Sequence, residues 1–464
     1  MVQYFDTIQR LFDAFDEAGH DLYLVGGAVR DLALEKSLAR LDDLDFCTDA
    51  RPETSLKILN DHEFNTYDLG IEFGTVGCVL YGDEAKGYPK DCQITTYRSD
   101  EYYRRGSRHP EVEFGETIEQ DLGRRDFSIN SMALDGQGEL VDPYDGMKDL
   151  RDGILRVIGE PLETLAEDPL RILRVGRFMS KLGFQPTEVL SEACRNRADH
   201  LLEISRERWF QEMTKLLCGD YPKGALRFLH SVRALGIMLP EVDVLVDEPR
   251  LFERTMQVLE QAPADAALAW TAVLHLTGKH WTRLETEDGS VSYPRHAQHS
   301  AMLFDGIRRR FRFDNKTGDT VGYLLDNQNT SPLEVDLDSD VEIRRFARAL
   351  DPHIEPALRF ARARFVSADR DDVQSVKDHI DTLYERIQQL AASKDLRPRL
   401  PSGLGNALMS GFDLEPSPLI GELKDWLEES IIAGELENSR DADYYVAALE
   451  ANPPRWFEAQ LDDE

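Results

Sequence analysis

The chain has 464 residues, 41% of them hydrophobic, more than one compact core usually holds, so it divides into several domains. Lys and Arg number 54 against 87 Asp and Glu, a formal net charge of −33 that repels anionic partners at long range and excludes a uniformly basic surface. Any RNA must be gripped by local basic patches, and the plain account of the excess acid is a solvated surface that serves solubility.

In chain order, Phe5, Ile8, Phe12 and Phe15 recur at helical spacing among Asp6, Asp13, Asp16 and Glu17, an amphipathic helix and not the basic start and apolar run of a signal peptide. No apolar stretch is long enough to span a bilayer. Five scattered cysteines, Cys47, Cys78, Cys92, Cys194 and Cys218, form no C-x-x-C pair and no dense framework, which argues against zinc ligation and disulfides and for a reducing compartment. The expectation is a soluble cytoplasmic protein with no membrane partner.

The first 150 residues mix β-rich runs with turns, at 22–25, 44–47, 75–81, 92–97 and 129–134, and predict one α/β domain. Beyond Asp149 the period changes: Ile172, Val175, Met179 and Leu182 step by three or four and line one helix face. Pro, Gly and charge mark breaks at 219–224, 331–340 and 395–403 in a mainly helical remainder without repeats.

Residues 22–31, Leu-Tyr-Leu-Val-Gly-Gly-Ala-Val-Arg-Asp, read as a strand, a paired-glycine turn and a helix start, which bares backbone N–H groups to a phosphate; a Gly-Gly pair alone is most often only a turn. Sixteen residues past Gly27 stands Asp43-Leu-Asp45, whose i and i+2 positions share one face of a strand. Two carboxylates side by side repel unless a cation lies between them, and Mg²⁺ takes such hard oxygens with water and substrate phosphates. The same spacing at Asp336-Leu-Asp338 reads as a surface loop, so only the glycine context singles out the first pair.

Strand, Gly-Gly, Arg-Asp and Asp-x-Asp together resemble the opening of the DNA polymerase β nucleotidyltransferase superfamily. Five further segments follow in order: Phe73-Gly-Thr-Val76, Ile94-Thr-Thr-Tyr-Arg98, Asp121-Leu-Gly-Arg-Arg-Asp-Phe-Ser-Ile-Asn-Ser-Met-Ala133, Val141-Asp-Pro-Tyr-Asp-Gly146 and Glu167-Asp-Pro-Leu-Arg-Ile-Leu-Arg174. They resemble the motifs of the bacterial and eukaryotic class of CCA-adding tRNA nucleotidyltransferases and their poly(A) polymerase cousins. The resemblance implies an α+β chain: a polymerase-β-like catalytic domain over 1–150, a helical nucleotide-recognition neck over 151–240, a helical domain over 241–400 and a terminal helical module over 401–464.

It also implies that Asp43 and Asp45 bind the metals while a tRNA 3′-hydroxyl attacks the α-phosphate of CTP or ATP. Gly26, Gly27 and Arg30 then lie along the triphosphate, and Arg125 and Asp126 contact its sugar and phosphates; without that likeness, Arg125 and Asp126 read as a helix-end ion pair worth little. Asp168 and Arg171, with Arg174 closing the same motif, read bare as a helix-start carboxylate with an i, i+3 salt bridge. In the family resembled, the Asp and Arg imitate a pairing base: Asp168 accepts the exocyclic amine of cytosine or adenine and Arg171 donates to the ring, while guanine and uracil present carbonyls where the amines should be. An unmatched buried polar group costs about 1–3 kcal/mol. Gln93 stands where many relatives carry Glu, and Asp91 lies two residues earlier on the same strand face.

The stretch from Arg98 to Phe114 resembles the flexible loop that full CCA-adding relatives use in changing from C to A, with Arg105 where relatives often carry an acid and Ser107 inserted. Residues 204–217 resemble the last family motif, a helix whose polar face braces the nucleotide pocket. Leu274-His-Leu-Thr-Gly and Arg295-His-Ala-Gln-His-Ser-Ala301 resemble a worn HD phosphohydrolase domain in which Leu276 replaces a metal-binding Asp, so His275, His296 and His299 are expected to be ordinary structural or surface histidines. The runs 308–312 and 344–364 are the best basic patches, with salt bridging an equal reading of the second. The competing functions are an enzyme adding only A, a poly(A) polymerase, and, from another class, an HD hydrolase.

Overall fold

The computed structural model describes residues 6–34, 41, 43–68, 70–71, 74–82, 89–102, 111–366, 372–393 and 395–461, with only the backbone of 43, 100–102, 111–112 and 459–461. The chain forms two compact units, residues 1–243 and 244–464.

In the first unit, helix α1 (Asp6–Glu17) buries Ile8, Leu11, Phe12 and Phe15 at the expected spacing. Strand β1 (Leu22–Val25) runs through Gly26 into α2 (Gly27–Ala33), then come β2 (Asp43–Thr48) and α3 (Pro52–Asp61). Strands β3 (Asn65–Asp68), β4 (Thr75–Leu80) and β5 (Lys90–Thr96) follow, then the ribbon of β6 (Arg98–Tyr102) and β7 (Glu111–Phe114). With β8 (Ala133–Leu134) and β9 (Leu140–Val141), the main sheet has the order β3-β4-β5-β2-β1-β8-β9.

Alternation sets the faces: in β5 Cys92 and Ile94 are buried while Asp91 and Gln93 are exposed, and in β2 Leu44 and Phe46 are buried while Asp45 is exposed. Phe12, Phe15, Phe46, Val76 and Ile94 meet in one core. Each such side chain contributes roughly 1.5–3 kcal/mol by leaving water. β2 and β5 pair in parallel, Asp43 opposite Asp91 and Asp45 opposite Gln93.

The strand expected at 129–134 is a correction. Residues Ser128–Asn130 form a 3-10 turn and only Ala133–Leu134 pair as a strand. Every residue from Phe127 to Leu134 is buried, so there is no alternation for the sequence to display; the turn carries the Asn130 amide to Arg30 and Asp126.

Between them lies α4 (Ile118–Gly123), closed by a Thr117/Gln120 capping box. Helices α5 (Gly146–Asp152), α6 (Pro161–Glu167), α7 (Arg171–Leu182), α8 (Glu188–Arg197), α9 (Arg206–Leu217), α10 (Pro222–Ser231), α11 (Ala234–Met238) and α12 (Pro240–Val246) continue the chain. α7 buries Ile172, Val175 and Met179 as expected and ends at Gly183 in the left-handed region. The break expected at 219–224 is shorter, because Pro222 starts α10 and Gly224 lies within it.

The second unit is almost wholly helical: α13 (Pro249–Gln261), α14 (Ala266–Leu274), α15 (Thr277–Thr282), α16 (His296–Phe311), α17 (Asn315–Asp326), α18 (Asp340–Leu350), α19 (Ile354–Val366), α20 (Val373–Ala392), α21 (Leu404–Phe412), α22 (Pro418–Ile432), α23 (Ala442–Ala451) and α24 (Arg455–Leu461). Separate cores form around Ile343, Ile380 and Leu383 and around Leu408, Leu423 and Tyr445. No described helix is long and apolar enough to cross a membrane.

Candidate active site

A cleft of about 1360 Å³ opens in the first unit where the β1–α2 turn, β2, the end of α4, the α6–α7 junction and α9 converge. Gly26, Gly27, Arg30, Asp45, Arg125, Asp126, Asp168, Arg171 and Arg174 all line it. Asp43 begins β2 two residues before Asp45, and its carboxylate lies outside the described residues. Among the described residues, nine cationic side chains and seven carboxylates line the cleft, in a chain of net charge −33. Asp336 and Asp338, by contrast, sit in a turn before α18, with the Asp338 amide donating to Asp336 at 3.0 Å.

Behind Arg124 and Arg125 lies a carboxylate that the sequence reading did not single out. Asp121 is wholly buried on α4; its Oδ1 accepts from the Arg98 amide at 3.2 Å and from Arg124 at 3.0 and 3.2 Å, and its Oδ2 from Arg125 at 2.8 and 3.2 Å and from Cys47 at 3.3 Å. Burial disfavours its charge, but Arg125 and Arg124 prevail and hold the carboxyl at about 2 against an ordinary 3.8. Arg125 is thereby fixed against the glycine turn: Gly26 has φ +69°, and a Cβ there would stand 2.9 Å from the Arg125 guanidinium. Glycine alone combines that backbone angle with that approach.

A second network crosses from α2 to α9. Arg30, 3% exposed, binds Asp31 through Nε at 2.9 Å and Asn130 at 2.6 Å; Asn130 donates to Asp126 at 3.0 Å; Asp126 receives a two-pronged contact from Arg174, with Nε at 2.7 Å. Glu212 on α9 faces Arg174 at 3.9 Å and Arg177 at 3.2 Å. Burial opposes ionisation of Asp126, and Arg174 with Asn130 more than offsets it, so its carboxyl lies below the ordinary range. Arg125 and Asp126 therefore do not pair with each other, as a helix-end ion pair would; each is held by a different partner.

Asp168 and Arg171 depart from the helix-face arrangement expected for them. α6 ends at Glu167 and α7 begins at Arg171, so Asp168 is extended, at φ −137° and ψ 96°, in the junction between them. Pro169 explains this, since the residue before a proline is driven from the helical region. Asp168 accepts from the Leu170 amide at 3.1 Å and pairs at 2.9 Å with Arg208 of α9, while Arg171 donates to the carbonyls of Thr164 at 3.4 Å and Arg124 at 3.2 Å. Arg208 and Glu212 are the polar face of the bracing helix. Their precise partners were not visible from local spacing, because they lie 40 and 38 residues from Asp168 and Arg174.

Gln93, where many relatives carry Glu, is an amide directly opposite Asp45, and Asp91 faces Tyr67, whose hydroxyl donates to it at 3.4 Å. The expected loop emerges from the β6–β7 ribbon, and Arg105 and Ser107 lie outside the described residues.

In the second unit, His275 is buried, with Nδ1 2.7 Å from the Ala272 carbonyl and its ring edge-on to Phe360. Leu276 packs against Leu245 and Leu251. His296 faces the Tyr293 carbonyl at 3.2 Å, and among the described residues no group of three His, Cys, Asp or Glu converges as metal ligands would. Within the basic runs, Arg308 pairs with Asp319 at 2.7 Å, Arg348 with Glu428 and Glu429 at 3.2 and 2.6 Å, and Arg362 with Asp381 at 3.2 Å.

Residues 22–156 match the poly A polymerase head domain, and residues 183–245 match the probable RNA and SrmB-binding site of polymerase A. A CCA-adding enzyme of Lactococcus lactis subsp. cremoris (strain SK11) is 30% identical over 440 residues, 94% of each chain, and one of Streptococcus suis (strain 05ZYH33) is 29% identical over 93% of each. The crystal structure of the Bacillus stearothermophilus CCA-adding enzyme in complex with CTP superposes with a TM-score of 0.70 at 25% identity, covering 99% of this chain and all of the other. With likeness running through both units, the chain belongs to the family of CCA-adding enzymes.

Proposed function

We propose that this protein adds C, C and A to the 3′ end of tRNA, taking CTP and ATP as substrates and Mg²⁺ as its metal. The observation that carries the reading is the convergence of Gly26, Gly27, Arg30, Asp45, Arg125, Asp126, Asp168, Arg171 and Arg174 on one cleft lined, among the described residues, by eight arginines and a lysine in an acidic chain. A triphosphate is drawn to such a cleft, and α7 with the α6–α7 junction supplies the groups that choose its base.

The donor set suits the metal: Asp45 offers exposed hard oxygens in the cleft, two positions from Asp43 on the same strand. Asp45 with Asp43 would hold Mg²⁺ there, and the metal would supply charge to stabilise the entering and leaving oxygens of an in-line displacement. Arg125, held by Asp121 beside the glycine turn, and Arg174, held by Asp126, present fixed charge to the phosphates and sugar without rearranging. Asp168 uses two of about four acceptor positions on Arg208 and the Leu170 amide, leaving others for an exocyclic amine. Arg171, pinned through two backbone carbonyls, keeps its guanidinium plane fixed beside it.

The test uses purified protein, Mg²⁺, single labelled nucleotides, and tRNAs ending before the first C, after one C and after two. C is expected on the first two, A on the third, and no addition after the terminal A. Incorporation of A alone, or of long A runs, replaces this reading with an A-adding enzyme or a poly(A) polymerase.

A further inference from the structure

The Phe178 ring of α7 is a meeting point of the cleft's arginines. The guanidinium carbons of Arg30, Arg174 and Arg177 lie over it, 5.4, 5.7 and 5.3 Å from its centre. Phe178 borders the cleft although it is only 3% exposed, and it packs edge-on against Phe127 with ring centres 5.2 Å apart. Arg30 comes from α2, Arg174 and Arg177 from α7, and Phe127 directly follows Asp126. The polar chain that runs from Arg30 through Asn130, Asp126, Arg174 and Glu212 to Arg177 thus begins and ends over one aromatic ring.

The carboxylates in that chain do not fix all three arginines alone. Glu212 meets Arg174 at 3.9 Å and Arg177 at 3.2 Å, both longer than the roughly 2.7–2.9 Å of a tight charge-assisted hydrogen bond. A guanidinium held along one edge still swings about that edge, and like charges gathered in one wall repel. An aromatic ring attracts each cation through its π cloud, most strongly where water is excluded. All three arginine side chains are less than a third exposed, and the ring itself is buried. An aliphatic side chain could occupy the same space without drawing any of the three toward it.

We propose that Phe178 is a positioning residue for the incoming nucleotide, its π cloud holding Arg30, Arg174 and Arg177 in the orientation that the nucleotide meets. This role rests on the reading that the cleft binds CTP and ATP. Arg30 lies along the triphosphate in that reading, and Arg174 fixes Asp126 beside the sugar. With the π cloud weakened, the nucleotide must order these groups itself, and its affinity falls, because charge that is already in place needs no rearrangement.

The test replaces Phe178 in the full-length protein with mono-, di- and trifluorinated phenylalanine by suppression of a stop codon, with phenylalanine inserted the same way as reference. Each added fluorine draws electron density from the ring face and leaves its size nearly unchanged. Equilibrium binding of CTP and of ATP is measured without RNA, alongside thermal unfolding, and Phe178→Leu serves as the variant that lacks the π cloud. The Kd is expected to rise stepwise along the series, about threefold to tenfold in all, with Phe178→Leu at least as weak as the trifluorinated form. A Kd that stays constant across the fluorinated forms overturns the role, whatever Phe178→Leu does to Tm, since packing alone moves stability and not this gradient. A flat series with both nucleotides bound defeats the positioning role and leaves the proposed activity standing. A graded series for ATP in a protein that does not bind CTP keeps the role and replaces the CCA reading.

Discussion

Replacing Asp121 by Asn tests whether a buried carboxylate holds the nucleotide cleft in shape. The side chain is fully buried and its two oxygens receive six contacts, four of them from the guanidinium groups of Arg124 and Arg125. Its carboxyl is moved from 3.8 to about 2, which at about 1.4 kcal/mol per pH unit is roughly 2 kcal/mol of folding stability from its ionised form. The amide substitution also leaves two arginines beside each other without their counter-charge, a loss that reaches about 3–5 kcal/mol in buried pairs. We expect Asp121→Asn to destabilise the first unit by about 2–5 kcal/mol at pH 7 and to raise KM for the nucleotide as Arg125 loses its anchor. Urea unfolding read by hydrogen exchange in the β1 and β2 peptides isolates this unit from the second. Because the folded-state carboxyl lies lower than the unfolded one, the stabilisation is complete above about pH 4 and disappears as pH falls through about 2. The gap between wild type and variant should therefore narrow across that window. A loss under 1 kcal/mol, or a gap that does not change with pH, refutes the reasoning.

Other perturbations separate the roles of the remaining residues. Asp43→Ala and Asp45→Ala should each abolish nucleotide addition while leaving tRNA affinity within a few-fold, measured by filter binding; retained activity in either removes it from the catalytic pair. Asp168→Ala should loosen base choice, seen as a smaller ratio of kcat/KM for CTP over UTP, and Arg208→Met should do the same more weakly by releasing the Asp168 carboxylate; unchanged ratios remove both from base selection. Gly26→Ala combines a left-handed φ with a 2.9 Å approach to an anchored guanidinium and should cost about 1–3 kcal/mol of stability, whereas Gly27→Ala, with its nearest neighbour at 3.4 Å, should cost under about 1. Equal melting temperatures for the two variants contradict that account.

Much of the site was legible because its parts are local. Gly26 and Gly27 announce a turn, Asp43-Leu-Asp45 has strand spacing, and alternation in 92–97 marks a half-buried strand, all settled within a few residues of backbone. Asp168 shows where local reasoning ends: the i, i+3 spacing to Arg171 suggested a helix face, but Pro169 broke the helix and the pairing went to Arg208, 40 residues away. The 129–134 segment failed for another reason, since a stretch buried on all sides carries no periodic signal.

The amino-acid sequence by itself determined the elements, the order of the motifs and the chemical types in the cleft, because turn geometry, strand alternation and helix period act between near neighbours. Tertiary structure alone decided that Asp121 rather than Asp126 anchors Arg125 and that Asp126 pairs with Arg174. Ion pairing depends on distance and burial in three dimensions, and in a chain with 87 acids every arginine has many possible partners until folding selects one.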